Sequence, residues 1–342
     1  TALEGIPWRN TFNDGMVTSF SRDTFECIGA SLFTGTIRFY CNMDLLRKVT
    51  GSDLLPANFA ELQALCSAVN DYSLRTGEKI EPIASSKLTS ALMLDDLMKA
   101  QTQKLASRLN PSTGLPAGTY DFYLAYLNGT WTVDDPAMQS VAQLWLEVGK
   151  LLTPGFAQIE NDQAHFRFVQ EKAILLMGFS GQATSIFDQV SFPIGVFRSP
   201  QPDPADPQFG AQMIARSSEG SLRTWGPFGI TNASRHPKLV LNFLHFLTSE
   251  EASRKFTRIS RFLPTIVGVD PPADMKPFMP DLHGYPAGPA LAHAPDTKTL
   301  VLNTQHLLFG PKGSTERFLA TLRELLGPAM RRDVERSTKT RL

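Results

Sequence analysis

Residues 225–264 read WGPFGITNASRHPKLVLNFLHFLTSEEASRKFTRISRFLP, and no other part of the chain has so clear a pattern. The segment predicts a short strand, two consecutive helices and a final extended stretch. Ser234 can cap the first helix, with Pro237 in its first turn, where a missing N–H costs little. Thr248 and Glu251 form a capping-box pattern that opens the second helix. We interpret this segment as a packing unit that carries no catalytic residue.

Apolar residues recur at helical spacing in both of these helices. In the first helix, the expected core face consists of Val240, Phe243, Leu244 and Leu247. In the second helix, it consists of Ala252, Phe256 and Ile259. Each helix is therefore expected to bury one side and to expose the other.

The composition is that of an ordinary globular protein of 342 residues, with 33 acidic and 33 basic side chains. A chain of this length can form a large core and commonly two lobes. Because the net charge is zero, nothing predicts a nucleic-acid partner or an acidic membrane surface. No apolar run approaches the roughly 20 residues that span a bilayer. Cys27, Cys41 and Cys66 lack CxxC spacing, so they leave the redox compartment open.

Predicted strands alternate with predicted helices along the rest of the chain. The strands are expected at residues 34–40, 80–84, 173–177 and 192–197. The helices are expected at residues 42–50, 56–76, 89–109, 136–152, 300–308 and 315–326. This alternation predicts an α/β fold with a mainly parallel sheet.

One motif raises the question of nucleophilic catalysis. Gly178-Phe-Ser180-Gly-Gln182 follows a predicted buried strand. A nucleophile elbow needs the pattern Gly-x-Ser-x-Gly, so that the serine stands exposed on a sharp turn above the sheet. Gln182 takes the place of the last glycine, and its Cβ disfavours such a turn. An α/β serine hydrolase with Ser180 as nucleophile stays the alternative to a small-residue turn that lines a cleft.

No cofactor or metal site is predicted. The six histidines are scattered without zinc-ligand spacing, and no glycine-rich phosphate-binding motif occurs. Aromatic residues, in contrast, are dense near the predicted loop ends. Such rings stack on the C–H faces of sugars while neighbouring polar groups bind hydroxyls, although a place in the core is the alternative for every ring.

Four segments, in this order, resemble the extracellular solute-binding proteins of ABC importers, in the sugar-binding family that includes the maltose-type binding proteins. The segments are TIRFYCNMDLLRK from Thr36, LPANFAEL from Leu55, residues 172–182, and residues 225–256 followed by Phe262–Pro264. The resemblance implies a periplasmic-binding-protein-like type II α/β fold, in which two lobes are joined by a hinge. Gly181 departs from the family pattern, since an aromatic residue is common there; we expect either that Phe179 or Gln182 replaces its contact or that the ligand differs.

The resemblance also implies a division into lobes. The first lobe is expected to contain residues 1–33 and 225–290, and the second lobe residues 34–224 and 291–342. The family's first lobe begins with a βαβαβ run that has no counterpart before Thr34, so this lobe is expected to be incomplete. Hinge strands are expected at Thr34–Tyr40 and Thr224–Gly229. Arg38 is either a charge between the lobes or part of a structural salt bridge.

The implied function is capture of a small solute, a sugar or oligosaccharide, and its delivery to the transmembrane subunits of an ABC permease, without catalysis. The chain is expected to be a monomer that lies in the periplasm, or outside the cell on a membrane anchor. Neither cofactor, metal nor nucleic acid is expected as a partner. The expected ligand contacts are Tyr40, Tyr123, Trp131, Phe179, Ser180, Gln182, Trp225 and Phe228.

Overall fold

The computed structural model describes the chain in six stretches. They are residues 5–21, 26–109, 117–220, 224–292, 294–309 and 312–339. Within them, the side chains at positions 18, 21, 224–226 and 339 lie outside the description.

Strands and helices alternate through these stretches. The strands are β1 (Phe20–Ser21), β2 (Glu26–Cys27), β3 (Ala30–Thr34), β4 (Ile37–Asn42), β5 (Glu81–Ala84), β6 (Ala173–Phe179), β7 (Ile194–Arg198), β8 (Thr224–Phe228) and β9 (Leu263–Pro264). The helices are α1 (Met43–Thr50), α2 (Phe59–Thr76), α3 (Lys87–Gln101), α4 (Gln103–Leu109), α5 (Thr119–Leu127), α6 (Pro136–Gly149), α7 (Asn161–Val169), α8 (Ala183–Phe187), α9 (Pro237–Leu247), α10 (Glu250–Ser260), α11 (Pro295–Thr304), α12 (His306–Phe309) and α13 (Thr315–Lys339).

The chain divides into two compact units. Unit 1 consists of residues 1–38, 178–191 and 219–282, and unit 2 of residues 39–177, 192–218 and 283–342. Residues 178–191 thus belong to unit 1, whereas the sequence pattern places them in the second lobe. Their membership follows from backbone bonds, since Ser180 N donates to Thr36 O at 2.9 Å. The assignment of the two units to the two predicted lobes stays a proposal.

Unit 2 contains most of a four-stranded sheet in the order β5-β6-β4-β7. β5 pairs with β6 in parallel, with Ile83 opposite Leu175. Both strands are rich in apolar residues because a parallel strand is covered on both faces. Residues 173–178 of β6 are buried throughout.

Local signals in the sequence set the helices of unit 2. Asn42 caps α1, because its side chain accepts from the backbone N–H groups of Asp44 and Leu45. Gly51 ends the same helix in the left-handed region, at φ 70°. Asn58 caps α2, and Pro136 begins α6. The predicted starts of these helices are confirmed to within three residues.

Unit 1 contains a smaller sheet in the order β8-β3-β9. β3 is antiparallel to both of its neighbours, so the expected parallel pairing does not extend to this sheet. A core cluster of Phe12, Met16, Ala30, Ile266 and Val269 packs in this unit, with Trp8 against it.

The segment of residues 225–264 forms β8, α9, α10 and β9, as its pattern predicts. Its caps differ from the prediction. His236, not Ser234, is the N-cap of α9, and Ser249, not Thr248, is the N-cap of α10. The Thr248 hydroxyl instead donates to Leu244 O at 2.8 Å and accepts from Trp8 Nε1 at 3.0 Å. A tertiary contact with Trp8 therefore occupies the hydroxyl that the local pattern assigns to a cap.

The core faces expected for α9 and α10 are wrong in part. In α9, Leu244 is buried, but Phe243 is 55% exposed. In α10, the buried residues are Ser253 and Thr257, while Ile259 is 71% exposed. The periodicity places these residues on a common face but does not show what covers that face.

At the end of the chain, α13 runs from Thr315 to Lys339 and is longer than the expected helix at 315–326. No helix in the described stretches combines the length and the apolar character that a membrane crossing requires.

Candidate functional site

The residues predicted as ligand contacts fall in both units. Tyr40, Tyr123 and Trp131 belong to unit 2, and Phe179, Ser180, Gln182 and Phe228 to unit 1. Trp225 lies in β8, but its side chain is outside the description. The two groups differ in exposure, and this difference decides what each can do.

Tyr123 is fully buried on α5. Its hydroxyl donates to Leu291 O at 2.8 Å and lies 3.4 Å from Ala294 N, which donates to it. Burial, the largest cause, raises the pKa of the phenol from 10.0 to about 12. The hydroxyl thus ties α5 to the segment that precedes α11, and this is a structural role.

Trp131 and Tyr40 are also core residues. Trp131 is 2% exposed, its ring stacks on Phe122 at 4.1 Å, and its Nε1 donates to Phe122 O at 2.8 Å. Tyr40 is fully buried in β4. A buried indole or phenol normally finds a partner inside the protein, and both faces of such a ring are covered. The prediction that these rings contact a ligand stays a prediction, and their packing explains them without one.

The turn after β6 brings three predicted residues together in unit 1. Ser180 is 4% exposed, and its Oγ accepts from Thr36 N at 3.1 Å. Gln182 Oε1 accepts from Phe179 N at 3.0 Å and closes the turn. The Ser180 hydroxyl therefore caps a strand end and is not exposed as a nucleophile elbow requires. This geometry gives the hydrolase alternative no support.

Beside this turn lies an aromatic cluster that is not among the ligand contacts predicted from the sequence. The rings of Phe33 and Phe262 stack at 4.5 Å, and Phe256 lies 6.0 Å from Phe33 and 6.2 Å from Phe262. A Cβ at Gly181 would lie 3.5 Å from the Phe262 ring. All three rings are partly exposed. Phe262 adjoins β9 and Phe33 lies in β3, so only the sheet order β8-β3-β9 reveals that they are neighbours.

Phe228 is the most exposed of the predicted contacts whose side chains are described. It ends β8, opposite Ala30 of β3, and is 47% exposed. The next residue, Gly229, passes close to the segment just before β3, since a Cβ there would lie 2.7 Å from Ile28 O. The strand pairing therefore fixes the position of the ring and leaves it accessible.

Arg38 forms a structural salt bridge within unit 1. It is 2% exposed, and its Nη1 and Nη2 donate to Glu219 Oε1 and Oε2 at 2.7 and 2.9 Å. Nη2 also donates to Met279 O at 2.7 Å, and Asp281 N donates to Glu219 Oε2 at 2.7 Å. Of the two roles that the sequence leaves open, the geometry supports the structural one.

This ion pair lies where the chain leaves unit 1. The chain passes to unit 2 after Arg38, returns to unit 1 for residues 178–191, returns again at Glu219 and leaves after Leu282. The first passage falls within the expected hinge strand at Thr34–Tyr40. The second expected hinge strand, Thr224–Gly229, is mostly β8 and lies inside unit 1, and its role as a hinge stays a prediction.

A groove of about 330 Å³ runs along α13 in unit 2. Its lining consists of Gly327, Pro328, Arg331, Arg332 and Glu335. It contains no aromatic side chain and none of the predicted contacts, so it lacks the platform of a sugar site. Within the described stretches, no three His, Cys, Asp or Glu side chains group as metal ligands would.

Comparison with known proteins gives matches among solved structures. No family model matches the sequence, and no curated protein matches it. The apo form of RafE from Streptococcus pneumoniae is similar with a TM-score of 0.64 and 16% identity, over 96% of this chain and 78% of that one. RafE in complex with raffinose is similar with a TM-score of 0.63 and 16% identity, over 96% and 79% of the two chains. A chitin oligosaccharide binding protein is similar with a TM-score of 0.62 and 14% identity, over 96% and 77%.

These likenesses show the fold. The chain has a periplasmic-binding-protein-like α/β fold, which confirms the fold class inferred from its four sequence segments. Its neighbours in structure are binding proteins and not enzymes. At 14–16% identity, the ligand is not determined by the likeness.

Proposed function

We propose that this protein is the solute-binding component of an ABC importer, which captures a saccharide and delivers it unchanged to a membrane permease. The observation that carries the proposal is the likeness of nearly the whole chain to sugar-binding receptors, over 96% of its length. The order of the four family-like segments supports it independently. In this proposal the protein acts as a monomer, in the periplasm or outside the cell on a membrane anchor.

We assign the ligand platform of unit 1 to partly exposed aromatic side chains. Phe228 and Phe179 are accessible, and Gln182 supplies an amide N–H₂ beside the turn, since its Oε1 already accepts from the backbone. The Phe33–Phe262 pair offers a second face next to Gly181, where a sugar can approach without a side chain in its way. Tyr40, Tyr123, Trp131, Ser180 and Trp225 remain proposed contacts without this support.

The function is tested by a thermal-shift titration. Raffinose, chitin oligosaccharides and maltose-type oligosaccharides are added separately, and chromatography checks that each sugar is recovered unchanged. A ligand at 100 times its Kd stabilises the native state by about 2.7 kcal/mol, so we expect at least one sugar to raise Tm by several degrees. No shift with any sugar, or consumption of the sugar, would contradict the proposal.

Matched variants locate the contacts. Phe228→Ala is expected to weaken binding of the active sugar about fivefold, since a stacking contact contributes roughly 1 kcal/mol. Phe166→Ala removes a ring that is 59% exposed in unit 2 and serves as the control, for which we expect no change in Kd. Equal effects of the two variants would remove Phe228 from the site. Release of product from an acyl ester, lost in Ser180→Ala, would instead favour the hydrolase.

A further inference from the structure

Thr36 joins two parts of unit 1 that lie far apart in the sequence. It is 1% exposed, and its amide, carbonyl and hydroxyl groups are all bonded. Its N–H donates to Ser180 Oγ at 3.1 Å, and its carbonyl accepts from Ser180 N at 2.9 Å. Its Oγ1 donates to Phe278 O at 2.5 Å. Thr36 therefore links the turn after β6 to the last segment of unit 1.

Arg38, two residues further along the chain, extends these bonds to Glu219. Its Nη2 donates to Phe278 O at 3.4 Å, and this carbonyl is also the acceptor of the Thr36 hydroxyl. Its Nη1 and Nη2 donate to the Glu219 carboxylate at 2.7 and 2.9 Å. The bonds therefore form one buried network from Ser180 to Glu219.

One end of this network lies at two passages of the chain between the units. The chain enters unit 1 at Glu219 and leaves it after Leu282. The Glu219 N–H donates to Asp281 O, and Asp281 N donates to Glu219 Oε2, both at 2.7 Å. A shift of the backbone at either passage therefore displaces the carboxylate to which Arg38 is bound.

The other end of the network is the turn that carries two of the proposed ligand contacts. Phe179 and Gln182 are partly exposed, and Gln182 Oε1 accepts from Phe179 N at 3.0 Å. Ser180 lies between them and is 4% exposed, because it bonds to the Thr36 backbone. The bonds between Ser180 and Thr36 therefore determine where the two exposed side chains of the turn lie.

Burial allows the network to transmit a displacement. Its four side chains are at most 8% exposed, namely those of Thr36, Arg38, Ser180 and Glu219. A buried polar group that loses its partner gains no bond to water in exchange, so its neighbours move with it. The surrounding close-packed interior transmits such movements and does not absorb them.

We propose that Glu219, Arg38 and Thr36 position the turn of residues 179–182, so that the packing at the chain passages sets the affinity of unit 1 for its ligand. The three residues are positioning residues, which act through the exposed side chains of the turn. Because such coupling is reciprocal, ligand bound at the turn also stabilises the backbone bonds of Glu219. The effect on affinity rests on the proposed function, whereas the coupling between Glu219 and the turn does not.

Native-state hydrogen exchange of the ligand-free 342-residue chain tests the coupling. Glu219→Gln keeps the shape of the side chain and removes the charge that binds Arg38. We expect the amides of residues 179–182 to exchange about fivefold faster in this variant than in the wild type. Added to Thr36→Val, which already lacks the hydroxyl bond, the same substitution is expected to change these rates less than about twofold. Arg38→Lys, which keeps the charge and loses the bidentate bond, is expected to act like Glu219→Gln.

Two matched substitutions separate the coupling from a general loss of stability. Asp333→Asn changes a carboxylate of unit 2 that is 1% exposed and accepts from backbone N–H groups at the start of α11. Thr265→Val removes a hydroxyl of unit 1 that is 3% exposed and donates to Ser31 O at 2.7 Å, outside the network. We expect Thr265→Val to lower Tm as much as Thr36→Val does. Neither control is expected to change the exchange of the turn.

Affinity is measured with the sugar that raises the Tm of the wild type most. Glu219→Gln is expected to raise the Kd of that sugar about fivefold, and Thr265→Val to leave it within about twofold. In the wild type, bound sugar is expected to slow the exchange of the amides of Glu219 and Asp281, which it does not contact.

Several results would overturn the proposal. Unchanged exchange of residues 179–182 in both Glu219→Gln and Arg38→Lys means that the turn is not coupled to Glu219. Equally fast exchange in Asp333→Asn assigns the effect to lost stability. Faster exchange of the turn with an unchanged Kd removes the link to affinity. If no sugar binds the wild type, the proposed function fails, and the ligand-free exchange still decides whether Glu219 and the turn are coupled.

Discussion

The two units bury their apolar side chains to different degrees. In unit 2, large rings such as Phe59, Phe122 and Trp131 are at most 2% exposed. In unit 1, the eleven residues of α9 are strongly apolar, yet only Leu244 among them is buried. Both units contain well-formed helices, so helix formation follows local sequence while burial depends on which elements are available to pack. The comparison predicts that substitutions of equal size have large effects in unit 2 and small effects on α9.

The largest expected effect is that of Trp131→Ala in unit 2. Removing a stacked and hydrogen-bonded indole from a core leaves a cavity and typically costs about 4 kcal/mol of the free energy of unfolding. Denaturant titration measures this loss. Trp131→Phe, which keeps a ring but loses the bond to Phe122 O, is expected to lose less. A nearly unchanged free energy in Trp131→Ala, together with weaker sugar binding, would make this ring a ligand contact and not a core residue.

The second effect concerns the buried Arg38–Glu219 ion pair of unit 1. Arg38→Met leaves the Glu219 carboxylate buried without its cation, which we expect to cost about 3 kcal/mol. The double variant Arg38→Met, Glu219→Met removes both charges and is expected to be more stable than Arg38→Met alone. Denaturant titration of the wild type, the single variants Arg38→Met and Glu219→Met, and the double variant gives the coupling energy. Additive losses would show that the two side chains do not depend on each other.

An alkaline titration tests the core of unit 2. Burial raises the pKa of both Cys41 and Cys66 from 9.0 to about 12. Above pH 9 the unfolded chain releases these thiol protons and the folded chain retains them, so stability is complete below pH 9 and falls as the pH rises towards 12. Each thiol contributes a loss of about 1.4 kcal/mol per pH unit in this window.

Thermal unfolding between pH 8 and 10 measures the decline of folding stability with rising pH. The variant Cys41→Ala, Cys66→Ala serves as the control, because it should remove most of the pH dependence below pH 10. At higher pH, Tyr123 adds a loss of the same sign, since its pKa is raised from 10.0 to about 12. If the stability of the double variant falls as steeply with pH as that of the wild type, the buried thiols are not the cause of the pH dependence.

The smallest expected effect is that of Phe243→Ser on α9. In the 342-residue chain this ring is 55% exposed, so we expect a change within about 0.5 kcal/mol in the free energy of unfolding. The matched substitution Phe122→Ser in unit 2 is expected to cost at least about 3 kcal/mol. Denaturant titration of both variants gives the difference between the units directly. Comparable losses would remove the contrast on which the comparison rests.

Local chemistry made most of the fold predictable. Asn42 and Asn58 cap their helices, and the strands and helices of residues 225–264 occur in the expected order. Ordered family-like segments predicted the periplasmic-binding-protein-like α/β fold that the similar structures confirm. The helix caps and the order of strands and helices depend on neighbours within a few residues, so a single sequence contains them, whereas the fold was inferred from resemblance to a family.

Features that depend on distant partners were not predictable in the same way. The N-cap of α10 is Ser249, while the Thr248 hydroxyl accepts from Trp8 Nε1, more than 200 residues away in the sequence. Tyr123 and Trp131 fit an aromatic platform by composition, yet carbonyls of Leu291 and Phe122 bind them within the core. The Phe33–Phe262 pair escaped prediction because strand order alone brings it together.

Native-state hydrogen exchange followed by mass spectrometry tests the contrast between the units most directly, since it reports the opening free energy of each segment in one protein. The experiment uses the 342-residue chain. We expect the amides of α6 and β6 to exchange only through openings that cost several kcal/mol more than the openings that expose the amides of α9. Equal protection of α9 and α6 would contradict the account.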